Sequence, residues 1–220
     1  MSNPATITVE ATGVASAPPD IARVSLFTFA EDPAPGDALT SCSLLTERVL
    51  GALRDAGVAP SDLETTSIDL NVQHHREPEE AVRLYRSSSR LVATVRPPGD
   101  AGRIISVAVE AAGTGVGIND VAFDIDDRSP LTSLARRDAV ANALTAAREL
   151  ADAAGVRLGR LIELGEGRGL RPPHLASGLP MRAAAAGRTL GGGPPPVELG
   201  ELSVTVTVSA VFEVTAAASG

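Results

Sequence analysis

Lysine is absent from this 220-residue chain, and all nineteen basic residues are arginine. That excludes a P-loop lysine, a Schiff-base lysine and a lysine general base. Tryptophan is absent too, and aromatics make up only 2% of the chain. The core must therefore be built from Val, Leu, Ile and Ala, with Ala-rich helices lying close to a sheet. The one cysteine, Cys42, cannot close an internal disulfide. No apolar run approaches the roughly 20 residues needed to span a bilayer. The stretch from Met1 to Thr6 shows neither the basic region nor the apolar run of a signal peptide. From these absences we expect a cytoplasmic chain with no direct membrane insertion. The formal net charge of -8, with arginines scattered rather than clustered, argues against nucleic-acid binding.

What is present is pattern. From Leu202 to Val214 every second residue is apolar: Leu202, Val204, Val206, Val208, Ala210, Phe212 and Val214. Between them stand Ser203, Thr205, Thr207, Ser209, Val211 and Glu213. A period of two over this length marks a strand with one face on a core and the other on water. It calls for a largely antiparallel sheet covered by helices on one side, an α+β fold. Its outer face is short and weakly polar, and no lysine or proline blunts its edge, so self-association into a homo-oligomer is expected.

The remaining elements follow in order. Ile7, Val9 and Ala11 alternate in a first strand that Gly13 relaxes, and Pro18-Pro19-Asp20 turns the chain. Ala22, Val24 and Leu26 then face one side of a second strand, Phe27 and Phe29 the other, and the two strands read as a hairpin. Asp37 is the expected N-cap of a helix carrying Cys42, Leu45, Val49, Leu53 and Ala56 on one stripe and closing at Gly57. Ile68, Leu70 and Val72 make a third strand, His74 to Val82 a charged loop, and Tyr85 to Val95 the returning strand. A shorter helix spans about Asp100 to Ala112, and Ile118, Val121, Phe123 and Ile125 form another strand region. Ser129-Pro130 starts a long helix with Ser129 as N-cap, striped by Ala135, Ala139, Ala143, Ala147, Ala151 and Ala154 and ending at Gly155. Leu161, Ile162 and Leu164 suggest one more short strand. Between about 165 and 200 the composition shifts to Gly, Pro, Ala and Arg, which reads as a mobile insertion within a single domain spanning 1–220.

Candidate chemistry is sparse. His74 and His75, with Glu77, Glu79 and Glu80, offer metal-ligating types in the 74–80 loop. Adjacent residues of an extended chain point to opposite sides, and the spacing matches no ligand frame. A solvated polar loop is the favoured reading, with a metal-binding, small-molecule-binding or hydrolytic loop as its alternative. Asp124-Ile-Asp126-Asp127 begins like a calcium loop but lacks the glycine at the sixth position and the glutamate at the twelfth. The glycines of 113–117 and 165–169 resemble phosphate cradles only in number, since neither run connects a strand to a helix start. Cys42 lies on an apolar stripe and reads as a small core residue. Arg136-Arg137 reads as solvated surface. No catalytic, cofactor-binding or metal-ligating residue is therefore assigned, and no cofactor is expected.

The order of these elements, with Val9-Glu-Ala-Thr-Gly13, Pro19-Asp20-Ile-Ala22, Ala56-Gly57-Val58, Asp62-Leu63-Glu64-Thr65, Tyr85, Gly113, Gly155, Leu179-Pro180-Met181 and Leu199-Gly200-Glu201, resembles the bacterial SIMPL-domain family. The likeness runs from about Thr6 to Val214. It implies an α+β fold, a non-enzymatic structural or interaction role, ring-like or channel-like oligomers and a link to oxidative-stress tolerance. Many members of that family are exported and some are described as immunogenic, and the resemblance supplies no catalytic residues to carry over. Because no leader is read near Met1, this chain is expected to depart from the exported members.

Overall fold

A computed structural model of the chain describes residues 5–76, 81–167 and 200–216. They run β1 (Thr6–Ala17), β2 (Ile21–Asp32), α1 (Pro35–Asp55), β3 (Leu63–Arg76), β4 (Ala81–Val95), α2 (Ala101–Ala112), β5 (Val116–Asp124), α3 (Ser129–Ala153), β6 (Val156–Glu166) and β7 (Leu202–Ala216). The fold is α+β, as the periodicities require, and its antiparallel strands form two sheets, one in each of two compact units.

The first unit joins the chain's two ends. β7 lies at the centre of a three-stranded sheet, with β1 on one side and β6 on the other. Its inward residues are the expected ones: Val206, Val208, Ala210 and Phe212 are buried. They pack with Val9 against Ala135, Ala139, Ala143 and Ala147 of α3. The alanine stripe permits this approach, and Gly13 permits it further. A Cβ on Gly13 would lie 2.1 Å from the Ala139 backbone nitrogen and 2.2 Å from the Ala135 carbonyl oxygen. Gly13 therefore does not relax the strand, which continues to Ala17; it lets a helix backbone touch it. Val14 N–H donates to Asp138 Oδ2 at 3.0 Å and Asn142 Nδ2 to the Thr12 carbonyl at 2.9 Å, tying β1 to α3.

In the second unit the sheet order is β3-β4-β2-β5. Ala22, Val24 and Leu26 of β2 and Leu91, Ala93 and Val95 of β4 are buried with Val49 and Leu53 of α1 and Ile104 of α2. Phe27 and Phe29 stand on the opposite face, as the alternation predicts.

Several expectations are corrected. β1 and β2 are not a hairpin: β1 pairs with β7, whereas β2 pairs with β4 and β5. The Pro18-Pro19 break carries the chain from one sheet to the other, and local pattern does not reveal which strand a strand joins. The edge of β7 is not free, because both its neighbours come from this chain. The charged stretch from His74 is strand as far as Arg76, paired with Ala81, Val82 and Arg83 of β4; residues 77–80 lie outside the described set. β6 is no short strand, and it takes in Gly165 of the expected insertion, whose remainder at 168–199 also lies outside the described residues. Helix starts shift slightly. α1 begins at Pro35 with Asp37 in its first turn rather than at the cap, and α3 begins at Ser129 itself. Asp127 Oδ1 accepts the Ser129 N–H at 2.9 Å, and that hydrogen bond holds the Asp127 carboxyl below the usual carboxylate range.

Candidate functional site

The structure places the histidine pair by its strand register alone. His74 and His75 lie opposite Arg83 and Val82 in the β3–β4 ladder, and Glu77, Glu79 and Glu80 lie outside the described residues. Among the described residues no group of three or more His, Cys, Asp or Glu is placed to hold a metal. The aspartates that begin like a calcium loop are used structurally. Asp124 Oδ1 accepts the Ile125 N–H at 2.7 Å, and Asp126 pairs with Arg96 at 2.7 Å. Arg96 also holds Asp62 at 2.6 Å, and the two carboxylates, Asp126 foremost, keep the guanidinium firmly protonated.

The glycine run of 113–117 closes α2 and then packs. Gly113 takes φ +58°, as a helix end favours. A Cβ on Gly117 would meet the Phe27 ring at 2.3 Å. Cys42 is buried beneath α1 with Thr28, Thr46 and Ser89, and the Thr28 and Thr46 hydroxyls lie 2.6 Å apart. Ser87, on the same face, is fully buried and its hydroxyl has no hydrogen-bond partner among the described residues. Arg136 is surface, as expected, but not free: its guanidinium grips Glu166 of β6 through two hydrogen bonds of 2.8 and 3.2 Å. That grip lowers the Glu166 carboxyl and raises Arg136.

Two surfaces stand out instead, both on the second unit, and neither is singled out by motif. One is an apolar row on the outermost strand β3. Ile68, Leu70 and Val72 lie opposite Ser89, Ser87 and Tyr85, on the face that β4 and β2 bury beneath helices. They nevertheless remain 65%, 46% and 44% exposed. The other is on the opposite face, where Arg86, Ser88 and Arg90 alternate along β4 beside Phe29 and Phe27 of β2. Arg86 lies 3.9 Å over the Phe29 ring and pairs with Glu31 at 3.2 Å.

Comparison with known proteins places this geometry in a family. The family model SIMPL, described as a protein of unknown function (DUF541), matches residues 7–212. The chain belongs to the SIMPL family. It is also similar to the 26 kDa periplasmic immunogenic protein of Brucella abortus (strain S19), with 32% identity over 225 residues covering 97% of this chain and 86% of the relative. The protein of the same name from Brucella melitensis biotype 1 matches with the same identity and coverage. These SIMPL relatives overturn the expected cytoplasmic location, since both are named periplasmic and so point to export. No helix among the described residues is long and apolar enough to cross a membrane.

Proposed function

We propose that this SIMPL protein is a non-enzymatic, self-associating interaction module that works outside the cytoplasm. The observation that supports it is the β3 row. β3 spans fourteen residues, contains no lysine or proline, and leaves Ile68, Leu70 and Val72 exposed at a sheet edge. Burying a row of three such side chains in a second copy removes apolar area at about 25 cal/mol per Å2, and the edge itself offers backbone hydrogen bonds. The contact expected of β7 is thus transferred to β3, because β7 is paired on both sides.

Light scattering on the wild-type chain and on an Ile68→Asp, Leu70→Asp variant tests this reading. Both substitutions fall on exposed positions, so the variant folds, and its mass should drop towards the 22.4 kDa of one chain. A wild-type mass of one chain, unchanged on concentration, overturns the reading. A link to oxidative-stress tolerance rests on the family resemblance, and peroxide survival of cells lacking the chain tests it. The absence of nucleic-acid binding rests on the charge of -8, and a salt-dependent gel shift at micromolar protein would overturn it.

A further inference from the structure

A shallow cavity of about 210 Å3 opens on the outer face of the four-stranded sheet, lined by Phe27, Asp69, Arg86, Ser88, Arg90 and Asn119. The ladder explains why these side chains meet. Phe27 lies opposite Arg90 on one side and Gly117 on the other, while Ser88 lies opposite both Phe29 and Asp69. Directly opposed residues of antiparallel strands share a face, so all of them project outward. Gly117 leaves room for the Phe27 ring to lie over its backbone, which sets the ring as one wall.

The polar groups of this cavity are unequally engaged. Arg86 is committed to Glu31 and to the Phe29 ring, and Asn119 Nδ2 donates a long 3.5 Å bond to Ser25 Oγ. Asp69 accepts the Ser67 hydroxyl at 3.2 Å. Arg90 is exposed and pairs with no carboxylate among the described residues, and the Ser88 hydroxyl has no partner among them either. An unpaired guanidinium beside a free hydroxyl and an amide, over an aromatic ring, presents a donor array matched to a planar carboxylate. Asp69 on the facing wall narrows the choice. It repels a second negative charge and accepts a hydrogen bond, so it disfavours a phosphate dianion and favours an amino or hydroxyl group.

We propose that the Phe27–Asp69–Arg90 cavity binds a small monocarboxylate carrying an adjacent hydrogen-bond donor, an amino acid or a hydroxy acid. The carboxylate meets Arg90 and Ser88, the donor meets Asp69, and the apolar remainder lies on Phe27. This site is independent of the β3 row, which lies on the other face of the sheet. Isothermal titration of the full chain with alanine, lactate, acetate and inorganic phosphate tests it. Alanine or lactate should bind more tightly than acetate and phosphate. Arg90→Gln should weaken that binding about tenfold or more, as loss of a charge-assisted pair does. Asp69→Asn should erase the preference over acetate. Arg23→Gln, an exposed arginine of the same face outside the cavity, should leave binding unchanged, and circular dichroism checks that all variants fold. Absence of heat with every compound, tightest binding of phosphate, or equal losses in Arg90→Gln and Arg23→Gln would overturn the assignment.

Discussion

Replacing Gly13 by alanine tests the packing of the first unit at its tightest point. The added Cβ would stand 2.1 Å from Ala139 N, 2.2 Å from Ala135 O and 2.8 Å from Ala139 Cα. The nearest approach is about 1.3 Å short of the 3.4 Å at which ordinary contact begins. All three neighbours are helix backbone, so no rotamer change relieves the clash and α3 must retreat. Its retreat opens gaps along Ala135, Ala139, Ala143 and Ala147, and a radial gap of 0.5–1 Å forfeits roughly a quarter to a half of each dispersion contact. It also stretches the Asp138–Val14 and Asn142–Thr12 hydrogen bonds, each worth about 1 kcal/mol. Overpacking alone costs about 1–3 kcal/mol, so we expect Gly13→Ala to cost about 3–5 kcal/mol. Urea unfolding followed by far-ultraviolet circular dichroism measures it. Gly51→Ala is the control: Gly51 lies inside α1 with nothing within 4 Å of an added Cβ, so alanine there should stabilise by up to about 1 kcal/mol. A loss under about 1 kcal/mol for Gly13→Ala would refute the close approach of α3 to β1.

Other outcomes follow from the same packing. Val206→Asp puts a carboxylate in the core against α3 and should cost several kcal/mol, whereas Thr207→Asp on the other face should cost under about 1 kcal/mol; equal losses would refute the one-faced strand. Ser87→Ala removes a buried hydroxyl with no partner among the described residues, so thermal unfolding should show unchanged or higher stability, by up to about 1 kcal/mol. The Glu166 carboxyl is lowered by Arg136, so its contribution is present above the ordinary carboxylate value near about 4 and is lost as pH falls through the lowered one. An acid titration of stability should therefore fall less steeply for Glu166→Gln than for wild type, and identical acid limbs would refute the pair's role.

The sequence made local faces legible and left strand partners hidden. The alternation from Leu202 to Val214 named seven inward residues, of which β7 buries Val206, Val208, Ala210 and Phe212 and leaves Leu202, Val204 and Val214 half-buried. The alanine spacing named the helix stripe they meet. Gly57 and Gly155 marked helix ends because both take positive φ. Pairing depends on distant contacts that no local period encodes. The turn at Pro18-Pro19 therefore resembled a hairpin while β1 actually joined β7, and the long final strand resembled an open edge while two strands flanked it. Gly13 shows the same limit: a glycine in a strand signals a close backbone approach, but only the tertiary structure names α3 as the neighbour.

The exposed faces were legible in part. The Ile68, Leu70 and Val72 alternation predicted a strand with one apolar side, and the fold adds that the strand lies at the edge of its sheet, where these three side chains stay exposed. Arg86, Ser88 and Arg90 alternate in plain view, but Phe27 and Asp69 meet them only through register, and Asn119 joins the lining from the irregularity in the β2–β5 ladder. The periplasmic relatives corrected the location expected from the residues near Met1.

Self-association is the central claim, and the mass of the purified chain in solution tests it most directly. Multi-angle light scattering across a micromolar dilution series should give a multiple of 22.4 kDa that the Ile68→Asp, Leu70→Asp variant loses. A mass of one chain at every concentration would contradict the account.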